Sequence, residues 1–339
     1  MRLALIGFGV VGKALIELLE SSRAELQDRY GLAPTLVAVT DSRGSAVAEH
    51  GLTAAELLAA KSQHGSVSAI PGHGLPRGGA TPAQVIADCA ADVVIETSPS
   101  DLKHPDAAIE HLKAAFRHGA HAVSVNKAPL AVAMPALLEL ARYNCVQFRF
   151  SGTVGAGTPI LAWAERCALG NRVTAVRAII NGTTNFILSR MTDHGETFDA
   201  ALAEAVRLGY AETDPSNDID GIDTAMKLVI LANHVIGLRS SFTDVHLNGI
   251  RGLGRDRIEA ARKNNNVVKL IASYRDGKLA VAPEEVPANS PMNVAGGLNA
   301  VTLTCATGGD TTLIGRGAGG PETATAILRD LVDIWRTTH

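Results

Sequence analysis

Leu3-Ala-Leu-Ile6, Gly7-Phe8-Gly9-Val10-Val11-Gly12 and Lys13-Ala-Leu-Ile-Glu-Leu-Leu-Glu20 follow one another without a break near the start of the chain. The first run has the length and apolarity of a buried strand, and the last has the spacing of an amphipathic helix. The six residues between them carry glycines where a strand must turn sharply into a helix. Gly7 permits the tight turn, Gly9 lets the backbone approach a pyrophosphate, and Gly12 lets the helix pack close on the strand. The free N–H groups of the helix start then face the phosphates, so Gly7 to Gly12 predict a dinucleotide-binding turn.

Outward from this turn the same rhythm repeats. Thr35 to Thr40 reads as a second strand ending at Asp41, where an acid accepts hydrogen bonds from ribose hydroxyls. The spacing from Gly12 to Asp41 is long, which implies extra helix or loop around Glu25 to Pro34. Arg43, two residues on, instead suits a 2′-phosphate, so both NAD and NADP stay open, and each charge is alternatively a solvated surface group. Strands are expected at Asp92 to Glu96 and Ala120 to Val125, with a helix from Asp106 to His118 between them. A helix from Pro135 to Tyr143 and a strand from Val146 to Phe150 complete an open parallel sheet. In such sheets ligands gather beyond the C-terminal strand ends. Thr97, Ser98, Asn126 and Lys127 lie there and join the expected cofactor site.

The chain has 339 residues, which predicts two domains. With 46% hydrophobic and 19% charged residues it is globular, and a net charge of −3 without a basic run gives no reason to propose nucleic acid or an anionic membrane as partner. The four cysteines are scattered without a CxxC pair, and the apolar start is too short for a signal peptide or membrane span. A cytoplasmic location is therefore expected. His111, His118 and His121 lack zinc-ligand spacing. The stretch from Ser62 to Pro82, rich in Gly, Ser, His and Pro, reads as a mobile flap or a solvated linker.

Five carboxylates fall in the twelve positions from Glu212 to Asp223. A calcium loop is excluded, because its twelfth position would be Lys227 where a bidentate glutamate is needed. After Gly221 the apolar residues take helical spacing, which sets Asp223 and Lys227 four apart on one face. Alone, that pair reads as a surface ion pair of about a few tenths of a kcal/mol.

Taken together, these blocks closely resemble the homoserine dehydrogenase family. The matching segments are Gly7 to Gly12, Asn126 to Pro129, Thr153 to Pro159, Asn181 to Leu188, Leu208 to Lys227 and Gly315 to Gly320. The resemblance implies an α/β fold: a Rossmann-type domain over 1–150, completed by 308–339, and an α+β catalytic and dimerisation domain over 151–307. It implies reduction of aspartate 4-semialdehyde to homoserine with NAD or NADP as cofactor, in a homodimer. Lys227 is the implied proton donor to the carbonyl oxygen, Asp223 its orienting partner and Lys127 the second active-site lysine. Glu212 and Asp218 are implied around the substrate's amino group, with Gly182, Thr183 and Tyr210 beside it. Gly317, Ala318 and Gly319 are implied to return to the cofactor.

The family also implies a monovalent cation, sodium, on the carbonyls of Val154, Ala156 and Thr158. Its upstream glutamate is Ser151 here, so a plain glycine turn is the alternative. Strands are expected at Val173 to Ile180, Val267 to Tyr274, Lys278 to Ala282 and Leu298 to Thr304. Helices are expected at Phe186 to Met191, Thr197 to Arg207, Asp256 to Lys263 and Glu322 to Trp335. No C-terminal regulatory domain is expected. The competing readings are a non-catalytic dinucleotide sensor and a dehydrogenase for another amino or hydroxy acid.

Overall fold

In the computed structural model, which describes residues 1–339, the first strand runs Arg2–Ile6 and hands over at Gly7 to a helix at Val10–Ser21. These are β1 and α1. Then follow α2 (Arg23–Tyr30), β2 (Thr35–Asp41), β3 (Gly44–Leu52), α3 (Ala54–His64), β4 (Gly74–Pro76), α4 (Pro82–Asp88), β5 (Val93–Glu96), α5 (Asp106–Arg117), β6 (His121–Ser124), α6 (Lys127–Tyr143) and β7 (Phe148–Arg149). The second half contributes α7 (Ile160–Ala168), β8 (Val173–Ile179), α8 (Gly182–His194), α9 (Phe198–Arg207), α10 (Ser216–Ile219), α11 (Ile222–Leu231) and β9 (Val245–Leu247). It continues through α12 (Arg255–Lys263), β10 (Asn266–Arg275), β11 (Lys278–Pro287), β12 (Leu298–Cys305), β13 (Gly309–Arg316) and α13 (Gly320–Thr338). Two units result, Met1–Thr153 with Gly319–His339, and Val154–Ala318.

The first unit is a seven-stranded sheet in the order β4-β3-β2-β1-β5-β6-β7. Its five strands β2, β1, β5, β6 and β7 are parallel, as the near-continuous apolar runs require, because helices cover both faces of such a sheet. Leu3, Ala4, Leu5, Val93, Val94 and Ile95 are fully buried, and burial of each leucine contributes about 2 kcal/mol. The sheet is not wholly parallel. β3 runs antiparallel to β2, and β4 antiparallel to β3. The 62–82 stretch, expected to be a flap or linker, thus contains the end of α3, a 3₁₀ turn at Val67–Ala69, the edge strand β4 and the start of α4. Its short apolar pieces gave no periodic signal. α6 likewise starts earlier than expected, at Lys127, and kinks at Ala133 just before Pro135, whose ring cannot continue a regular helix.

Register brings four strand ends level: Thr40 pairs with Ile6, Ile6 with Glu96 and Glu96 with Ser124. The chain therefore leaves the sheet along one edge at Asp41, Gly7, Thr97 and Val125. Gly7 has a φ of +106° and sits so close to the next loop that an added Cβ would lie 2.6 Å from the Ser98 nitrogen. Gly12 would place a Cβ 2.5 Å from the Gly7 oxygen, whereas Gly9 faces open space. α13 packs along α1, and Gly320 meets the Val10 side chain.

The second unit is a six-stranded sheet, β13-β12-β8-β10-β11-β9, antiparallel except where β9 joins β11. Helices α7, α8, α11 and α12 pack on it. Residues 308–318, expected with the nucleotide domain, belong here, because β13 forms a continuous ladder with β12 from Leu298–Arg316 to Cys305–Gly309. The glycines around Gly309 and Gly315 hid this edge strand.

Asp330 on α13 is 2% exposed and accepts the backbone N–H of Ser151 at 2.9 Å and its hydroxyl at 2.5 Å. Burial pushes this carboxyl up to about 6, against the hydrogen bonds from Ser151. A raised native value means the folded chain binds more protons than the unfolded chain, so this contribution is complete below 3.8 and is lost as pH rises through about 6. We predict that Asp330→Asn flattens the fall in stability across that window, by roughly 2–3 kcal/mol for a shift of about two pH units. Denaturant unfolding from pH 4 to 7 measures it. Parallel curves for wild type and variant would show that Asp330 does not carry the dependence.

Candidate active site

In the second unit the carboxylate-rich segment folds around a buried lysine. Gly221, with a φ of +82°, ends α10 and starts α11, and a side chain there would press on Leu247. The helix then carries Asp223 in its first turn and Lys227 one turn later. Lys227 is 8% exposed, and its Nζ donates to the Ile180 carbonyl at 2.8 Å and stands 2.7 Å from Asp223 Oδ2 in an ion pair. An ammonium has three protons, so one remains uncommitted. Such a pair is more than the surface ion pair that spacing alone suggested, since both side chains are largely withdrawn from water.

Asn181 closes the cluster. It caps α8, its Oδ1 accepting the Thr184 N–H at 2.9 Å, while its Nδ2 bridges Asp218 Oδ1 at 2.6 Å and Asp223 Oδ2 at 2.9 Å. One amide thus sits between two carboxylates that would otherwise repel. Burial and the neighbouring Asp223 charge push the Asp218 carboxyl up, against the hydrogen bonds from Asn181 and Thr183 and the charge of Lys227. The Thr183 hydroxyl lies between Asp218 and the Tyr210 carbonyl, which it reaches at 2.6 Å. Tyr210 stacks on Phe186 with ring centroids 4.3 Å apart, and Gly182 meets the backbone of Gly297. Asp218, Asp223, Lys227, Gly182, Thr183 and Tyr210 therefore converge. Glu212 does not join them: it is exposed, and its carboxylate has no hydrogen bond or ion pair.

In the first unit the expected nucleotide residues line the level strand ends. Phe8 is buried beneath the turn, while Val10 is 76% exposed and Val11 partly so. Thr97 ties two strands together, its hydroxyl donating to the Gly7 carbonyl at 2.6 Å. Asn126 caps α6 by accepting the Ala128 N–H, and Lys127 is the first residue of that helix. Asp41, the expected ribose acid, faces inward. Its side chain is 2% exposed and accepts from Lys61 Nζ at 2.8 Å, Ser66 Oγ at 3.0 Å, and the N–H groups of Val67 and Arg43. Burial raises this carboxyl, but Lys61 and the backbone donors outweigh it and hold it below the ordinary value. Its acceptor capacity is spent on donors within the fold. Arg43 remains exposed at the same strand end.

Gly317 and Ala318 follow β13, and Gly319 starts α13 with a φ of +130°. A side chain at Gly317 would strike the buried amide of Asn299, whose Nδ2 and Oδ1 have no partner. In the segment of the implied cation, Ala156 is left-handed, the Thr158 carbonyl accepts the Ile160 N–H and its hydroxyl donates to the Arg316 carbonyl. Ser151 is committed to Asp330, and no group of three His, Cys, Asp or Glu could hold a metal. A cation there would have backbone carbonyls as its protein ligands.

The chain matches a family model described as "Homoserine dehydrogenase" over residues 159–332, and another described as "Homoserine dehydrogenase, NAD binding domain" over 7–151. The chain belongs to the homoserine dehydrogenase family. It is 39% identical to the homoserine dehydrogenase of Methanocaldococcus jannaschii over 100% of this chain and 99% of that protein. It is 36% identical to the NAD(+)-dependent homoserine dehydrogenase of Pseudomonas canavaninivorans over 98% and 96%. Among solved structures, a putative homoserine dehydrogenase from Archaeoglobus fulgidus superposes with a TM-score of 0.89 at 35% identity, covering 99% of both chains. A hyperthermophilic archaeal homoserine dehydrogenase in complex with NADPH gives 0.85 at 30% identity, covering 99% and 98%. Membership makes this chain an NAD(P)-dependent oxidoreductase with a Rossmann-type domain. No helix is long and apolar enough to cross a membrane.

Sequence reasoning missed Asn181 and Lys61. Asn181 was visible as an N-cap residue before Gly182-Thr-Thr, whereas nothing local marks Lys61 as the partner of Asp41. We predict that Asn181→Ala raises the Asp218 carboxyl further and costs about 1 kcal/mol of capping. Carboxyl-detected NMR titration reads the first effect, and an unmoved Asp218 midpoint would show that the amide does not balance the two acids.

Proposed function

We propose that this chain interconverts L-homoserine and L-aspartate 4-semialdehyde, with Lys227 as the proton donor to the carbonyl oxygen in the reducing direction. The observation that carries this reading is the buried ammonium held by one carboxylate and one backbone carbonyl, two partners for three protons. A bound nicotinamide supplies or accepts the hydride. As hydride reaches the aldehyde carbon, negative charge grows on its oxygen, and an ammonium fixed beforehand stabilises that charge more than it stabilises the neutral carbonyl. Lys227 gives up one proton to the oxygen and keeps its contacts with Asp223 and the Ile180 carbonyl, so its position survives the transfer. In the oxidising direction the same nitrogen, neutral, takes the hydroxyl proton.

Asp218 is the anion for the substrate's ammonium, and Glu212 the exposed carboxylate that joins it when substrate arrives. Lys127, the first residue of α6, is the second active-site lysine, and Gly182 and Thr183 offer N–H groups at the start of α8. Gly7 to Gly12 take the pyrophosphate, with Thr97, Ser98 and Asn126 bordering the nicotinamide half, and Gly317 to Gly319 are further residues for the cofactor. Of the two nucleotides the withdrawn Asp41 and the exposed Arg43 favour NADP, because a free acid would repel a 2′-phosphate and a guanidinium binds it with paired N–H groups. We further propose a homodimer built on the second sheet.

The test follows NAD(P)H absorbance with homoserine at alkaline pH. Homoserine-dependent reduction is expected, faster with NADP than with NAD, and Lys227→Ala is expected to lower kcat by about a hundredfold or more with the fold retained. Absence of homoserine-dependent turnover with either nucleotide, or a variant as fast as the wild type, would remove the proposal.

A further inference from the structure

The first unit buries an ionisable pair that no step above uses. Glu96, the last residue of β5, has no exposed surface, and His111 on α5 is 9% exposed. His111 Nδ1 lies 2.6 Å from Glu96 Oε2. The other oxygen, Oε1, accepts the backbone N–H of Ser98 at 2.7 Å and also the Ser98 hydroxyl. An ionised carboxylate offers only lone pairs, so all three neighbours donate to it and His111 Nδ1 carries its proton.

This arrangement has a direction. Because the Ser98 hydroxyl spends its single proton on Glu96, its oxygen is left to accept, and Asn126 Nδ2 donates to it at 3.2 Å and to the Pro99 carbonyl at 3.2 Å. That fixes which way the Asn126 amide faces. Its Oδ1 is thereby turned to the Ala128 N–H at 3.1 Å, the cap of α6. The Lys127 N–H meanwhile donates to Ser100 Oγ at 2.9 Å, at the far end of the same loop. One buried carboxylate thus sets the loop from Thr97 to Ser100 and the first turn of the helix that begins with Lys127.

Stability does not account for such a pair. Burying a carboxylate is costly, so an ion pair or charged hydrogen bond in a core at best offsets its own desolvation. Apolar side chains of the same volume would fill the space at least as well. What they would not do is orient Ser98 and Asn126.

We propose that His111 and Glu96 are positioning residues for the reaction: through Ser98 and Asn126 they hold Lys127 and the adjoining loop in the geometry that turnover needs. The inference rests on the role proposed above for Lys127, which is therefore tested beside it. An asparagine amide can occupy the place of a histidine Nδ1, whereas a glutamine amide reaches toward Nε2. His111→Asn should restore the donor to Glu96, and His111→Gln should not, although both keep a polar side chain in the same pocket.

The experiment measures kcat for homoserine oxidation, the Kd for NADPH by fluorescence and the thermal midpoint for His111→Asn, His111→Gln, His111→Ala and Lys127→Ala. Expected is a kcat about tenfold or more below wild type for the Gln and Ala variants, recovery to within about threefold for Asn, and an NADPH Kd within about threefold throughout the His111 series. Equal kcat for Asn and Gln would overturn the proposal. So would a His111 series whose losses follow the thermal midpoint or appear wholly in nucleotide binding. If Lys127→Ala turns over like the wild type, the role of Lys127 falls and this inference with it. If Lys127→Ala is inactive while His111→Gln is unimpaired, only the positioning role falls.

Discussion

A lysine ammonium held out of water by one carboxylate and one backbone carbonyl is the constraint around which the second unit is organised. The cost of burying Lys227 is offset by Asp223 and the Ile180 carbonyl, and each of those requires a particular piece of backbone. Ile180, the residue after β8, must turn its carbonyl toward α11. Asp223 must stand in the first turn of that helix, which Gly221 begins in a conformation few other residues adopt. Asn181 then keeps a second acid, Asp218, within reach without leaving two carboxylates face to face. The unit thus holds an ammonium and two carboxylates within one cluster, the charge pattern that the proposed amino-acid substrate demands.

The first unit solves a different problem, the close approach of backbone to a polyanion. Level strand ends bring the loops after β1, β2, β5 and β6 to one edge, and Gly7 and Gly12 let the first of them fit where any side chain would collide. The return of α13 onto α1, with Gly320 against Val10, completes that edge from the far end of the chain. Buried charge appears here too, at Asp41, Glu96 and Asp330. In each case hydrogen-bond donors from loops converge on the carboxylate, so these acids act as organisers of irregular backbone.

Much of this was legible in the residues. The strand, glycine turn and helix at the start, and the spacing of Asp223 and Lys227 after a helix-starting glycine, are local patterns, and local patterns survive folding. Long-range partnership is not written locally. Asp41 looked like a ribose acid because its position after a strand is all that sequence offers, and Lys61, twenty residues on, turned it inward. Glu96 and His111 were separately ordinary, a strand end and a helix residue. Strands β3, β4 and β13 were missed because β4 is too short to show a period and the glycines and polar residues of β3 and β13 blur theirs. Ser151 was noticed only as a missing acid; its tie to Asp330 depends on the C-terminal helix returning to the first unit.

The account turns on where the third proton of Lys227 points when substrate is bound. A crystal structure of the chain with NADP and homoserine measures this directly. The prediction is that the homoserine hydroxyl oxygen lies within hydrogen-bond distance of Lys227 Nζ, about 2.7–3.2 Å, while the bonds to Asp223 and Ile180 persist. A hydroxyl held by other groups, with Lys227 Nζ beyond that reach, would contradict it.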